Sequence, residues 1–356
     1  MSNLITKEIS DENMHYSFGY YAENKWLDGK RLVLMRSNIP EMIYDGTDRV
    51  KTELIIYDTE IGDADLVDTG IGAFTDFLAD RGKVYYVKDG ALIVYNPNTC
   101  QKKTLFTAER IGSLHISADG KYISLFSCSP EICRFYRVNT ESGEGELMFE
   151  TSFGGEFPYA NHGMISPTDK DVLFFAHEGD TRIIGDRLWI YDMREGLARN
   201  IAPQNLDEEG LPLDCFGHEA WAHNGDGLYF VKYRESRTKP GICYADIKGN
   251  PPQLLYTGYD YWHVGTSSSG RYLTADTRNL GADRSGVVLI DIKTGKEMLI
   301  DAPHVTFRHP CHPHPQLSPD DKFLIYHFQN EYGRVAVKLV SLCKNEQINE
   351  SNNSQM

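Results

Sequence analysis

The chain has 356 residues, 41% of them hydrophobic and 12% aromatic, enough for one large core or two domains. A net charge of −15 argues against nucleic acid or an anionic membrane surface as a main partner, since both demand basic patches. No apolar run reaches bilayer-spanning length, and residues 1–13 are polar with no signal-like stretch, so a cytoplasmic protein is expected. The seven cysteines (100, 128, 133, 215, 243, 311 and 343) are odd in number and lack any CxxC spacing, which predicts free thiols in a reducing compartment.

In chain order, one pattern recurs seven times: a short apolar stretch, a turn rich in Asp, Gly and Ser, then a strand of β-branched and aromatic residues. It begins at Trp26-Leu-Asp-Gly-Lys-Arg-Leu-Val-Leu, followed by Leu78-Ala-Asp-Arg-Gly-Lys-Val and Ile116-Ser-Ala-Asp-Gly-Lys-Tyr. It continues at Ile165-Ser-Pro-Thr-Asp, Trp221-Ala-His-Asn-Gly-Asp, Thr266-Ser-Ser-Ser-Gly-Arg and Leu317-Ser-Pro-Asp-Asp-Lys. The turn residues supply the left-handed or side-chain-capped geometry of a hairpin. The repeat length is that of a four-stranded blade, and no helical periodicity interrupts it. The expected fold is all-β: a seven-bladed β-propeller of four-stranded antiparallel blades. The last unit supplies only three strands, so Leu4–Ile9 is expected to add its outer strand and close the ring. Residues 1–343 then form a single domain, and 344–356, rich in Asn, Ser and Gln, a disordered tail.

The innermost strand of a blade lines the axial channel. Reading back from the turns places His115, His162, His218, His263 and the run His309, His312 and His314 on five consecutive blades, facing the channel near one mouth. Pro310, Pro313 and Pro315 stiffen that last run and push the preceding residues toward extended geometry, where His312 and His314 share a face at chelating distance. Imidazole is the commonest side-chain metal ligand. The plainer alternative is a proline-stiffened loop whose histidines meet only solvent. Cys311 points to the other face. Loops between second and third strands bring His177, Arg187, Tyr233, Arg234, Arg278 and Gln329 toward the same mouth, a mixture of imidazoles and guanidiniums suited to an anionic ligand.

Four segments carry a resemblance: His177-Glu178-Gly179-Asp180, Arg187-Leu188-Trp189, Gly217-His218-Glu219-Ala220-Trp221, and His309-Pro-Cys-His312-Pro-His314-Pro with Pro319-Asp320 beyond it. They are similar to motifs of the oligogalacturonate lyases, seven-bladed propellers that cleave pectin fragments by β-elimination. The likeness runs best over residues 160 to 330. It implies Mn2+ or another divalent cation on His263, His312 and His314, with His309 in the place of a family glutamine. It further implies His218 as the base that takes the C5 proton and Arg187 as the arginine for the substrate. The implied partner is an acidic oligosaccharide; His177, Tyr233, Arg234, Arg278 and Gln329 are candidate substrate contacts, and oligomeric state stays open. Asp180, Gly217, Ala220 and His309 depart from the family pattern and bear on which uronide is taken. Two alternatives remain: a lyase or hydrolase acting on another acidic glycan, and a non-catalytic propeller resembling TolB-like proteins that binds a peptide or protein through its funnel.

Overall fold

The computed structural model describes residues 4–20, 23–38, 51–72, 75–129, 131–278, 280–306 and 311–342. His309 and the proposed tail lie outside these. Every described element is a strand, and the strands assemble into seven four-stranded antiparallel sheets. No helix is long and apolar enough to cross a membrane. Blades 1 to 6 occupy residues 15–72, 77–107, 111–151, 160–200, 216–256 and 261–301 in sequence order. Blade 7 takes Gln316–Leu317, Phe323–Gln329 and Val335–Ser341 from the C-terminal part and Thr6–Ile9 from the N-terminal part.

The hairpin turns read from the repeats carry the left-handed residues expected of them: Gly270 has φ +71° and Asp321 φ +57°. Apolar residues of adjacent blades meet in wedges. One joins blades 4 and 5 through Phe174, Ile190, Phe216 and Phe230. Another joins blades 7 and 1 through Ile9, Phe18, Leu34, Ile325 and Val337. Each sheet therefore buries both faces, and the ring needs every blade.

The clasp pairs Thr6 with Val340 and Ile9 with Val337, two residues shorter as a strand than Leu4–Ile9, although the Ile5 carbonyl still accepts from Ser341 N. Ile9 is 1% exposed. Removing residues 1–10 should cost about 3 kcal/mol or more from one buried isoleucine and its ladder, whereas removing 345–356 should cost almost nothing. Thermal melting of the two truncations checks this; equal midpoints would contradict the clasp.

The cysteine expectation needs one correction. Cys128 and Cys133 face each other across the hairpin of blade 3 and form a disulfide, while Cys100, Cys215, Cys243 and Cys311 are free. A cross-strand pair in a hairpin has no CxxC spacing to announce it.

Candidate metal centre and active site

The side chains at the channel are aimed by a defect repeated from blade to blade. In blades 3, 4 and 5 the innermost strand carries a β-bulge at the same level, two residues facing one on the neighbouring strand. The first residue of each bulge is non-glycine and left-handed: Ser113 at φ +49°, His162 at +54° and His218 at +53°. Such backbone costs on the order of 1–3 kcal/mol per residue and gathers at functional sites. Blade 6 is irregular between Tyr261 and His263. One cavity on the axis is lined by Tyr20, His162, His218, Glu219, His263 and His314.

His263, His312 and His314 place ligand nitrogens within 4.8 Å of one another, all three residues buried. Asp276 anchors two of them, His263 and His314. Its carboxylate accepts from His263 Nδ1 at 2.8 Å, from His263 N at 2.9 Å and from His314 N at 3.0 Å. With Nδ1–H donated to Asp276, His263 presents Nε2, the carboxylate–histidine arrangement that orients metal ligands. Burial pushes Asp276 up to about 7, against the pull of its donors. His327 supports the next ligand: stacked on Phe18 at 3.7 Å, it accepts from Phe18 N through Nε2 and donates from Nδ1 to the His312 carbonyl. His314 is not extended as the proline rule suggests; its φ is +42°, with its N–H turned onto Asp276. The His312 and His314 rings still lie nearly parallel, 17° apart at 5.7 Å. Cys311 is buried outside the triad. Asp276→Asn should weaken metal affinity about 10–100-fold, read by chelator competition; unchanged affinity would remove Asp276 from the site.

His218 stands against the triad, its ring 3.9 Å from that of His263, with Tyr20 Oη 3.4 Å from His218 Nδ1. Burial first, then the neighbouring imidazoles, push His218 and His314 well below the usual imidazole range. Both are therefore neutral, as a base and a ligand require. Arg187 is buried, its Nε 2.6 Å from Glu219 and Nη2 3.3 Å from Glu178; burial opposes its charge, but the two carboxylates outweigh it. Tyr233 packs 5.9 Å from His218, and burial raises its hydroxyl far above the ordinary range. Arg278 lies over Trp262 at 4.6 Å and Tyr233 at 5.3 Å, with Nη1 on Glu235.

Three sequence-predicted residues are engaged by other groups near them. His177 contacts Asp186 at 2.7 Å and the Phe157 carbonyl at 2.8 Å, stacked on Phe153. Arg234 pairs with Glu235 and Asp260, and Gln329 donates to the Gly333 carbonyl. His115 also departs from expectation. Ser113 holds the bulge level in blade 3, and His115, two residues on, meets Glu23 at 3.3 Å in a second cavity shared with Ser117, His223 and Pro319. Residues missed in the sequence are Asp276, Tyr20, Glu178, Glu219 and His162's pairing. Asp276 had one signal, a carboxylate inside the strand Tyr272–Thr277.

The profile of the oligogalacturonate lyase family matches residues 113–345. An oligogalacturonate lyase of Dickeya dadantii is 23% identical over 225 residues, 58% of this chain and 55% of that protein; a Pectobacterium atrosepticum oligogalacturonide lyase aligns to the same extent. The matched stretch thus spans about half the length of these relatives. The structure of an oligogalacturonate lyase in complex with manganese superposes with TM-score 0.77 at 18% identity, covering 95% of this chain and 93% of that one. That of the Vibrio parahaemolyticus enzyme gives 0.75 at 17%, covering 96% and 97%.

Proposed function

The chain belongs to the oligogalacturonate lyase family, and on that premise we propose that it cleaves oligogalacturonides by β-elimination, with His218 taking the C5 proton beside a divalent-cation site on His263, His312 and His314. The observation that carries this reading is the 3.9 Å contact between the His218 and His263 rings. The C5 proton is α to the carboxylate, so the group that removes it and the groups that hold the carboxylate must be neighbours. Three buried imidazoles, one fixed by Asp276, suit manganese or a similar divalent ion. Such an ion, when bound, supplies Lewis-acid stabilisation of the carboxylate as it turns enolate-like, several kcal/mol of barrier.

The chain's own residues do the rest. His218, held neutral by burial and by its imidazole neighbours, has a free ring nitrogen to take the proton. Arg187, held charged by Glu219 and Glu178, fixes the wall beside His218 and offers a permanent cation to the sugar acid. Arg278, over the Trp262 and Tyr233 rings, gives a second guanidinium on an aromatic platform for a further uronate. Roles for His177, Arg234 and Gln329 in binding would require them to leave their present partners. His309 in the ligand set extends the same reading.

Incubation of the purified protein with saturated and unsaturated digalacturonate plus manganese tests the function. Appearance of the unsaturated keto product is expected; no cleavage of either substrate would overturn the reading.

A further inference from the structure

β-Elimination needs two proton transfers, and the reading above gives a group only to the first. Resting on that lyase reading, we propose that His162, held by Glu219, is the acid that protonates the leaving O4. His162 occupies in blade 4 the bulge position that His218 occupies in blade 5, with the same left-handed backbone, and both line one cavity. The order of the groups along the wall follows the order of atoms in the substrate. The triad is on blades 6 and 7, His218 on blade 5 and His162 on blade 4. A uronide with its carboxylate toward the triad presents C5 one blade on, and C4 with O4 beyond it.

Glu219 supplies the second, independent observation. Its side chain is wholly buried; Oε1 is 2.6 Å from Arg187, and Oε2 has no hydrogen-bond partner among the described residues. Within ion-pair distance of that oxygen lies His162 Nδ1, at 3.6 Å. A buried carboxylate oxygen left without a donor is costly, and a protonated His162 repays it. The charged groups facing His162 are Glu219, Glu178 and Arg187, with His218 across the cavity. In the free site burial, helped by Arg187, holds the proton affinity of His162 below the ordinary imidazole range against the pull of Glu219 and Glu178; a bound uronate adds a further negative charge that draws the proton on. Expulsion of water by the bound sugar strengthens the Glu219 contact.

The step balances within the chain. His218 removes the C5 hydrogen as a proton, and the C–H electron pair becomes the C4=C5 double bond. The C4–O4 bond breaks with its pair on O4, which takes the proton from His162. Neutral His162 and protonated His218 return to their starting states by exchange with water after product leaves.

The test uses two substrates and the metal-loaded protein. His162→Asn keeps a residue that tolerates left-handed backbone; His162→Gln is the second variant if the first does not fold. On digalacturonide either folded variant should lose about 10²-fold or more in kcat with metal content unchanged. On a galacturonide carrying fluoride at C4, which departs without a proton, it should turn over near the wild-type rate, while His218→Asn fails on both. Equal losses on the two substrates, or no loss on the glycoside, overturn the acid role and leave the lyase reading standing. A wild-type protein that forms no unsaturated product from digalacturonate overturns the lyase reading and this role with it.

Discussion

His218→Asn is expected to lower kcat on digalacturonide by about 10²–10⁴-fold while the protein folds and retains its metal. Asparagine is chosen because His218 sits at φ +53°, where alanine would add backbone strain to the loss of the base. The triad's anchor, Asp276, does not touch His218, so ligand geometry should survive. Steady-state kinetics beside elemental analysis read the two effects separately. Near-normal turnover would move the base elsewhere, with Tyr233, 5.9 Å away, the next candidate. Arg187→Ala is a poorer probe of chemistry. It strips the counter-charge from buried Glu219 and from Glu178, a change that costs roughly 3–5 kcal/mol in comparable buried pairs. Its expected outcome is a marked fall in melting temperature together with a rise in KM.

The His312→Ala/His314→Ala protein should lose its bound divalent ion, one per chain in the parent, and with it all measurable lyase activity. Two of three buried nitrogens would be gone from a site whose ligand atoms lie within 4.8 Å. A ligand that binds only the folded state stabilises it by about 2.7 kcal/mol at a hundred times its dissociation constant. Added manganese should therefore raise the melting temperature of the parent and not that of the variant. Elemental analysis of the folded variant decides the matter, undiminished metal content being the contrary result.

The blades and their closure were legible because hairpin turns impose left-handed residues, and these leave Asp-Gly, Asn-Gly or Ser-Gly marks in four of the seven repeats and Asp-containing turns in the other three. The clasp was legible from counting strands in the last unit. His312 and His314 were legible because histidines alternating with prolines have little other use, even though His314 reaches the triad by a left-handed turn rather than an extended one. The bulges were not legible. An inserted residue alters pairing without altering composition, so Ser113, His162 and His218 look like ordinary strand residues until register is known. His115 was misplaced for a simpler reason. It stands one residue before its turn unit at Ile116, where His162, His218 and His263 stand three before theirs, and it meets Glu23 from a loop of blade 1. Long-range partners such as Asp276 for His263, and Glu219 for Arg187, depend on which strands become neighbours, which no local pattern encodes. The Cys128–Cys133 bridge belongs to the same class: it follows from hairpin register.

The central claim is elimination rather than hydrolysis at the axial site, and the masses of the two halves of a saturated digalacturonate separate these directly. Elimination by the manganese-loaded protein yields one galacturonate and one fragment lighter by a water; two identical galacturonates would contradict the account.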